Sequence, residues 1–306
     1  MNADSRLSIA IPSYNRADYL RVCIQKLLDA TGTEDIDIYV SDNASEDHTR
    51  EVLKDLSRDH PVLSYSTSDV LVPPDRNFER ALSLPDTDYV WLFGDTYTIP
   101  DETVRIVKQV IENSNYDLIV VNSSGRVVNV DEKVYTDRSE LLADLGWHMT
   151  CMSTLIYSRK LLESADFARY RDTNFLQTGI IFEYLADKPF KVKWIPQHSV
   201  SGLEVPGVKK TSWESQTFEI WTKRWANFVF SLPAAYSLEA KLKCAMAHGV
   251  KSGVFDLSAL KRLRIRNLLN REVYQAYSKY FPFTINYPLP LIKVISVAPS
   301  WLLRLL

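Results

Sequence analysis

Short apolar runs alternate with amphipathic segments through the first 121 residues of the chain. Five of the runs have strand length, and each is followed by a proline, a glycine or a polar residue. They are Leu7–Ile11, Ile36–Val40, Val62–Tyr65, Tyr89–Phe93 and Asp117–Val121.

Between these runs, apolar residues recur at the spacing of amphipathic helices. Helices are predicted over 17–30, from a cap at Ser45 or Asp47 to about Arg58, from a cap at Asp75 past Leu82, and over 100–111. Strictly alternating strands and helices predict an α/β fold with a mostly parallel sheet and helices on both faces.

From residue 122 the alternation is lost. The pattern predicts a short β excursion over 125–134, a helix over 139–145, a strand over 153–157, a helix over 175–185, a strand over 190–195 and a mobile loop over 198–211. Beyond Trp213 the spacing is helical. We therefore predict a first domain over 1–210 and a helical C-terminal region over 211–306.

Composition places the chain among globular proteins of one or two domains, with 306 residues, 46% hydrophobic and 24% charged. The net charge of −2 hides a basic tail, because residues 239–306 carry eleven basic and three acidic residues. A basic, apolar tail on an acidic body favours an anionic membrane surface. Leu289–Leu306 is interrupted by prolines and basic residues, so it should lie on a membrane without spanning it.

Several common classes are excluded by what the chain lacks. No GxGxxG or GxxxxGK[ST] motif occurs among the nine glycines, so neither a dinucleotide fingerprint nor a P-loop is present. The three cysteines are widely spaced, which indicates free thiols. The N-terminus carries no apolar signal segment, so we expect a cytoplasmic protein, peripheral on the inner face of the plasma membrane. We expect no nucleic-acid partner.

Three polar loops follow three of the predicted strands: Pro12–Arg16, Ser41–Ser45 and Gly94–Asp95. Ligands of open α/β sheets bind beyond the carboxyl ends of the parallel strands, so the three loops should converge on one cleft. Together with the run Asp75–Ala81, these loops resemble the GT-A glycosyltransferases of family 2, and in particular its abequosyltransferase-type branch.

The resemblance implies a GT-A domain that binds a nucleotide sugar, with UDP, dTDP, CDP or GDP as the nucleotide. Tyr14 would stack on the base, Asp42 would accept a hydrogen bond from it, and Arg16 or Arg76 would neutralise the diphosphate. Lys209 and Lys210 would lie in a loop that closes over the donor. The full set of donor-binding candidates is Pro12, Tyr14, Asn15, Arg16, Asp42, Arg76, Asn77, Asp95, Lys209 and Lys210.

The chain departs from the family pattern at the metal site. The family places further acids after the strand-end aspartate, and the last of them ligates Mn²⁺ or Mg²⁺, but here Thr96 and Tyr97 follow Asp95. Hard cations usually take one or two carboxylates beside the substrate phosphates, so Asp95 alone is a minimal site, and a phenol is a poor ligand at neutral pH. Asp95 is therefore expected to hold the ribose hydroxyls or to contribute one ligand to a weakly bound Mg²⁺ or Mn²⁺.

The catalytic base is a second departure. Inverting transfer needs a group that takes the proton of the acceptor hydroxyl. The family places a Glu-Asp pair near the helix before the last strand, where this chain has Leu176 and Gln177. Asp172 and His198 are the candidates for the base, with His148 as an alternative.

The resemblance implies an inverting transfer of a sugar to a lipid-linked acceptor of a bacterial surface polysaccharide or O-antigen. The alternative is a non-catalytic GT-A scaffold that binds a nucleotide sugar within a glycan-assembly complex, motivated by the missing acid at Tyr97. A sugar-nucleotide pyrophosphorylase fits less well, because no glycine-rich signature lies near the first strand.

Overall fold

The computed structural model describes residues 6–32, 34–208 and 213–304. Its contacts divide the chain into two compact units. The first comprises residues 1–137 and 149–210, and the second comprises residues 138–148 and 211–306. The helix over 138–145 thus belongs to the second unit, whereas the boundary between 210 and 211 stays a prediction.

The first unit is built on one mixed sheet. Its strands are β1 (Leu7–Ser13), β2 (Asp37–Asp42), β3 (Leu63–Thr67), β4 (Tyr89–Leu92), β5 (Tyr97–Thr98), β6 (Leu118–Ser123), β7 (Lys133–Tyr135), β8 (Leu155–Ser158) and β9 (Val192–Gly202). The order is β3-β2-β1-β4-β8-β6-β9-β5, with β7 also paired to β9. Strands β3, β2, β1 and β4 are mutually parallel, β8 is antiparallel to both of its neighbours, and β6 is parallel to β9. Six of the strands therefore point the same way, as a mostly parallel sheet requires.

The helices of this unit are α1 (Ala17–Thr31), α2 (Thr49–Asp59), α3 (Pro74–Ser83), α4 (Asp101–Asn113), α6 (Arg159–Glu163), α7 (Phe167–Tyr170) and α8 (Leu176–Tyr184). The apolar faces of α1, α2 and α4 are buried with the inward side chains of the central strands in one core cluster. Burial of a large aliphatic side chain contributes on the order of 2 kcal/mol, so this cluster anchors the strand ends.

Two regions after residue 122 differ from the expectation. The β excursion is limited to β7, which pairs with β9. Strand β9 is longer than predicted: it continues through His198 to Gly202, and Tyr97 and Thr98 pair with its last residues. The predicted mobile loop was therefore wrong for 198–202, because cross-strand partners distant in sequence supply hydrogen bonds that local composition does not reveal.

The second unit is helical. It contains α5 (Arg138–Leu145), α9 (Trp225–Ser231), α10 (Leu238–Lys251), α11 (Leu257–Ile265), α12 (Arg271–Tyr277), α13 (Phe281–Thr284), α14 (Leu289–Val297) and α15 (Ser300–Leu303), with a π-helical turn over Glu219–Arg224 before α9. Its core includes Phe218, Phe255 and Phe281. Gly249 permits the close approach of α10 and α13, since a Cβ there would lie 2.0 Å from the carbonyl oxygen of Thr284.

Candidate active site

The carboxyl ends of β1, β2 and β4 lie at one edge of the sheet because the three strands are parallel. Ser13, the last residue of β1, is in register with Asp42, the last residue of β2. The Ser13 hydroxyl donates a 2.8 Å hydrogen bond to Oδ2 of Asp95, which follows β4. The structure thus brings the three loops into direct contact, as the sequence predicted. Ser13 was not among the candidates, although its place between Pro12 and Tyr14 was a signal.

Gly94 lets the end of β4 come close to its neighbours. A Cβ at this position would lie 3.3 Å from both the Ser153 hydroxyl and the ring of Tyr97. The Gly94 amide donates to that same hydroxyl at 3.0 Å. Asp95 is consequently held in a fixed position, with its side chain mostly buried.

Asn77 lies beneath these loops. Its amide donates to the carbonyl oxygens of Ser13 at 3.4 Å and Ser41 at 3.1 Å, and its Oδ1 accepts the Ser41 hydroxyl at 2.7 Å. The residue is buried, so this structure gives it the role of joining the ends of β1 and β2. Asn77 lies near the start of α3, so the first turns of that helix lie at the edge of the sheet where β1 and β2 end.

Asp42 is fully buried at the end of β2. Its Oδ1 accepts the Ser45 amide at 3.2 Å, and its Oδ2 faces Nε of Arg50 at 3.4 Å. Both oxygens therefore already have protein partners, and Asp42 organises the loop that follows β2. Its contact with a base stays a prediction.

The loop after β1 is fixed by the loop after β2. Asn15 has a left-handed φ of 51°, which asparagine tolerates better than most residues. Its amide donates to the Ser45 hydroxyl and its side chain accepts the Glu46 amide, both at 2.8 Å. Tyr14 is exposed at the sheet edge.

The candidate cations take different positions. The Arg16 guanidinium carbon lies 5.6 Å from the ring centroid of Tyr19, at the start of α1. Arg76 lies in the first turn of α3 and lines a cavity together with Arg80. Pro12 pairs with Ser41 inside the sheet. Lys209 and Lys210 lie outside the described residues.

Asp95 is the carboxylate at the strand end where the family places its metal site. Tyr97, at the position of the family's metal-ligating acid, is close to Cys151; that neighbour and then burial raise the pKa of the Tyr97 phenol. A neutral phenol is a weak ligand for Mg²⁺ or Mn²⁺. Within residues 6–32, 34–208 and 213–304, no group of three His, Cys, Asp or Glu side chains could hold a metal ion.

Asp172 lies in a strained loop just before α8. Its φ of 65° and that of Asn174, 71°, are both left-handed. The loop is held to α3 by the Asn174 amide, which donates to Oδ2 of Asp75 at 2.9 Å. Asp172 itself is exposed. The structure therefore places this candidate base beside the first turn of α3, near the edge where the strand-end loops meet.

The two histidine candidates are in other surroundings. His198 is half-buried, in an irregular stretch of β9 where the pairing with β6 shifts register. His148 is buried within the second unit, where its ring lies edge-on to Trp147 at 5.6 Å. Gln177, in the first turn of α8, donates to the carbonyl oxygen of Thr150 at 3.0 Å and is also buried.

Sequence reasoning missed the end of β6. This strand runs in the direction of β4, so its carboxyl end also faces the edge with Asp95. A tight turn follows, with left-handed φ angles at Ser124 and Gly125, and it ends in the exposed Arg126. The polar cluster after the apolar run 118–121 was the signal for a fourth strand-end loop.

Comparison with known proteins identifies the family. The model described as "Glycosyl transferase family 2" matches residues 8–179, more than half of the chain. The chain belongs to glycosyl transferase family 2. The matched residues include all three strand-end loops, the arginines of α3 and the start of α8.

One relative lies in the branch that the sequence resembled. The abequosyltransferase RfbV of Salmonella typhimurium is 28% identical over 198 residues, which are 55% of this chain and 58% of that protein. The match therefore spans less than two thirds of the relative's length.

Solved structures confirm the GT-A fold with a helical C-terminal region. TarS 1-349 of S. aureus, in complex with UDP-GlcNAc, superposes with a TM-score of 0.57 at 15% identity, covering 95% of this chain and 87% of TarS 1-349. The mannosyltransferase PcManGT of Pyrobaculum calidifontis, in complex with GDP-Man and Mn²⁺, gives a TM-score of 0.56 at 16% identity, covering 91% and 83%. At these identities the likeness concerns the fold alone.

Proposed function

We propose that this family 2 glycosyltransferase moves one sugar from a nucleotide-sugar donor to a lipid-linked oligosaccharide of a bacterial surface polysaccharide, with inversion at the anomeric carbon. The hydrogen bond between Ser13 and Asp95 carries the proposal, because it joins two strand-end loops into one site. The Salmonella abequosyltransferase, TarS with UDP-GlcNAc and the mannosyltransferase with GDP-Man support a nucleotide-sugar donor.

In the proposed donor complex, the exposed ring of Tyr14 stacks on the base and Asp95 accepts hydrogen bonds from the ribose hydroxyls. Arg16 or Arg76 contacts the diphosphate, where a guanidinium can form two parallel hydrogen bonds. The loops need little adjustment for this, since Asn77 already holds the ends of β1 and β2.

In the proposed transfer step, Asp172 takes the proton of the acceptor hydroxyl as its oxygen attacks the anomeric carbon. A bond forms from that oxygen to the sugar, and the bond from the sugar to the donor diphosphate breaks. The nucleoside diphosphate leaves with the electron pair. His198 is the alternative base.

We also propose that donor binding does not depend on a metal. The family places a cation under the diphosphate, whereas the positions around Asp95 offer one carboxylate, a hydroxyl and a neutral phenol. No step in the proposed chemistry therefore involves Mg²⁺ or Mn²⁺. Cationic side chains would instead stabilise the negative charge of the leaving nucleoside diphosphate.

The donor site is tested by measuring the melting temperature with UDP, dTDP, CDP and GDP, each with Mn²⁺ and with EDTA. We expect one nucleotide to raise the melting temperature by several degrees, because a ligand that binds only the folded state at a hundred times its Kd adds about 2.7 kcal/mol. The rise should be equal with Mn²⁺ and EDTA. No rise with any nucleotide contradicts the donor site, and a rise only with Mn²⁺ contradicts metal independence.

The membrane proposal concerns the outer face of α14 and α15. Val294, Val297 and Trp301 are each more than half exposed on this face, whereas Ile292 and Ile295 are buried in the core of the second unit. No helix of the described residues is both long and apolar enough to cross a bilayer. Such a face fits the headgroup region of a membrane.

A helix that carries basic side chains packs against α14 and α15. Helix α11 contributes Lys261, Arg262 and Arg264, and the Arg264 guanidinium donates to the carbonyl oxygen of Ala298, between α14 and α15, at 2.9 Å. Each basic residue near an anionic surface contributes on the order of 1 kcal/mol. We therefore propose that the protein is peripheral on the inner face of the membrane, where a lipid-linked acceptor is accessible.

Replacing Val294, Val297 and Trp301 together by serine should weaken binding to vesicles of equal phosphatidylglycerol and phosphatidylcholine by about tenfold or more, measured by co-sedimentation. Each apolar side chain that leaves water contributes on the order of 1 kcal/mol or more. Serine at these exposed positions spares the core, unlike removal of the whole tail. Leu238, Leu242 and Val250, also exposed in this unit, provide the control triple serine variant. Equal binding of both variants and the wild type contradicts the membrane proposal.

A further inference from the structure

A cavity of about 490 Å³ lies on the outer face of α3, away from its buried residues. Arg76, Glu79, Arg80 and Ser83 line it from successive turns of that helix, and Arg171 lines it from the loop before α8. This volume is within the range of small-molecule sites in proteins. Val72 and Leu84 give the cavity apolar walls.

The charged groups of this cavity are unevenly balanced. Arg171 forms a bidentate pair with Glu79, with Nε to Oε2 at 2.8 Å and Nη2 to Oε1 at 2.6 Å. The guanidinium groups of Arg76 and Arg80 form no hydrogen bond or ion pair with another residue that the structure describes. With three arginines and one glutamate, the cavity carries a net charge of +2.

The ion pair also fixes the geometry of the cavity. Arg171 is held by Glu79 and, through the same loop, by the contact between Asn174 and Asp75. A guanidinium fixed in this way presents its remaining donors without a large loss of side-chain entropy. The cavity is therefore a preformed, positively charged site with apolar walls.

We propose that this cavity binds a phosphate ester of the acceptor. Guanidinium groups match the geometry of phosphate, and the apolar walls suit the carbon skeleton attached to it. Arg171, which lines the cavity, directly precedes the candidate base Asp172 in the chain. The inference rests on the proposed function for the identity of the acceptor, with Arg16 as the residue that contacts the donor diphosphate, whereas the anion site itself depends only on the cavity.

The test uses inorganic pyrophosphate as the probe and isothermal titration calorimetry as the measurement. The protein is first saturated with the nucleoside diphosphate that raises its melting temperature most, which fills the donor site. Pyrophosphate should still bind, and Arg80→Gln should weaken this binding by about tenfold or more, the effect of losing a charge-assisted hydrogen bond. Arg105→Gln, at an exposed position of α4, removes the same charge elsewhere and should leave pyrophosphate binding within about twofold.

Two results overturn the proposal: pyrophosphate binding that disappears in the nucleotide-saturated protein, or equal binding by the Arg80→Gln variant and the wild type. If no nucleoside diphosphate binds at all, the proposed donor site fails. In that case the comparison of Arg80→Gln with Arg105→Gln still tests whether the cavity binds pyrophosphate, so the two failures are distinguishable.

Two further ligands distinguish a phosphate carried on a lipid from one carried on a free sugar. Farnesyl diphosphate carries the phosphate on a lipid chain, and glucose 1-phosphate carries it on a free sugar. Tighter binding of the first, sensitive to Arg80→Gln, assigns the cavity to the diphosphate of a lipid-linked acceptor. Tighter binding of the second assigns it to a sugar phosphate, and binding of neither overturns the proposal.

Discussion

Asp95→Asn should weaken nucleoside diphosphate binding and lower kcat/KM for sugar transfer by about ten- to a hundredfold. Asparagine keeps the shape of the side chain and can still accept the hydrogen bond from Ser13. It removes the charge that strengthens hydrogen bonds from the ribose hydroxyls, and hydrogen bonds to charged groups contribute on the order of 1.5–3 kcal/mol. Calorimetry with the preferred nucleotide and a transfer assay measure the two effects.

The control for Asp95→Asn is Asp86→Asn, which removes an exposed carboxylate shortly before β4. It should change neither nucleotide binding nor transfer by more than about twofold. Ser13→Ala should give a smaller loss than Asp95→Asn, since Ser13 acts by positioning the carboxylate. Unchanged binding and transfer in Asp95→Asn would place the donor elsewhere. Nucleotide binding without turnover in the wild type would instead support the non-catalytic scaffold.

The charge of Asp95 also affects the thiol of Cys23. Burial, together with this carboxylate, raises the pKa of the Cys23 thiol well above its usual range. Cys23 therefore stays neutral near the end of β4, where its sulfur lies 4.0 Å from the carbonyl oxygen of Gly94. Cys151 and Cys244 are also free, and Cys244 is buried in the second unit. The expectation of free thiols is therefore confirmed for all three cysteines.

The parallel part of the sheet could be predicted from the sequence because its signals are local. Each apolar run of β1, β2 and β4 is followed within one or two residues by the polar side chains that form the site. Parallel order then places these ends at one edge, so convergence needed no knowledge of the contacts. The hydrogen bond between Ser13 and Asp95 is the structural result of that rule.

The exact tasks of Asp42 and Asn77 could not be predicted in the same way. Both are polar residues near a predicted cleft, which suggested contact with the donor. The role of Asn77 depends on partners distant in sequence, because it bonds to Ser13 across 64 residues and to Ser41 across 36. Buried polar groups must be paired, and a sequence does not show which pairing is made.

The antiparallel insertion of β8 and the length of β9 were hidden for a similar reason. Strand β8 lies between β4 and β6, although it follows both in the chain. The register shift between β6 and β9 occurs next to Asn122, whose amide donates to the carbonyl oxygens of Val127 and Pro196. Such an irregularity is set by side-chain contacts, which periodicity does not contain.

Asp172→Asn should lower kcat for transfer by about a hundred- to ten-thousandfold, the range typical for loss of a general base. The substitution is well suited to this position, because asparagine adopts a left-handed φ of 65° more readily than most residues. The loop and its contacts to α3 should therefore persist, and the melting temperature should stay within a few degrees of the wild type. Transfer is measured at saturating donor and acceptor.

His198→Gln is the matched variant that separates the two candidate bases. If Asp172 is the base, His198→Gln should keep kcat within a few fold, and only Asp172→Asn should remove the fall of kcat/KM toward acid pH, since that fall reports protonation of the essential base. A loss confined to His198→Gln would transfer the role to the histidine. Full activity in both variants would exclude both groups as the essential base.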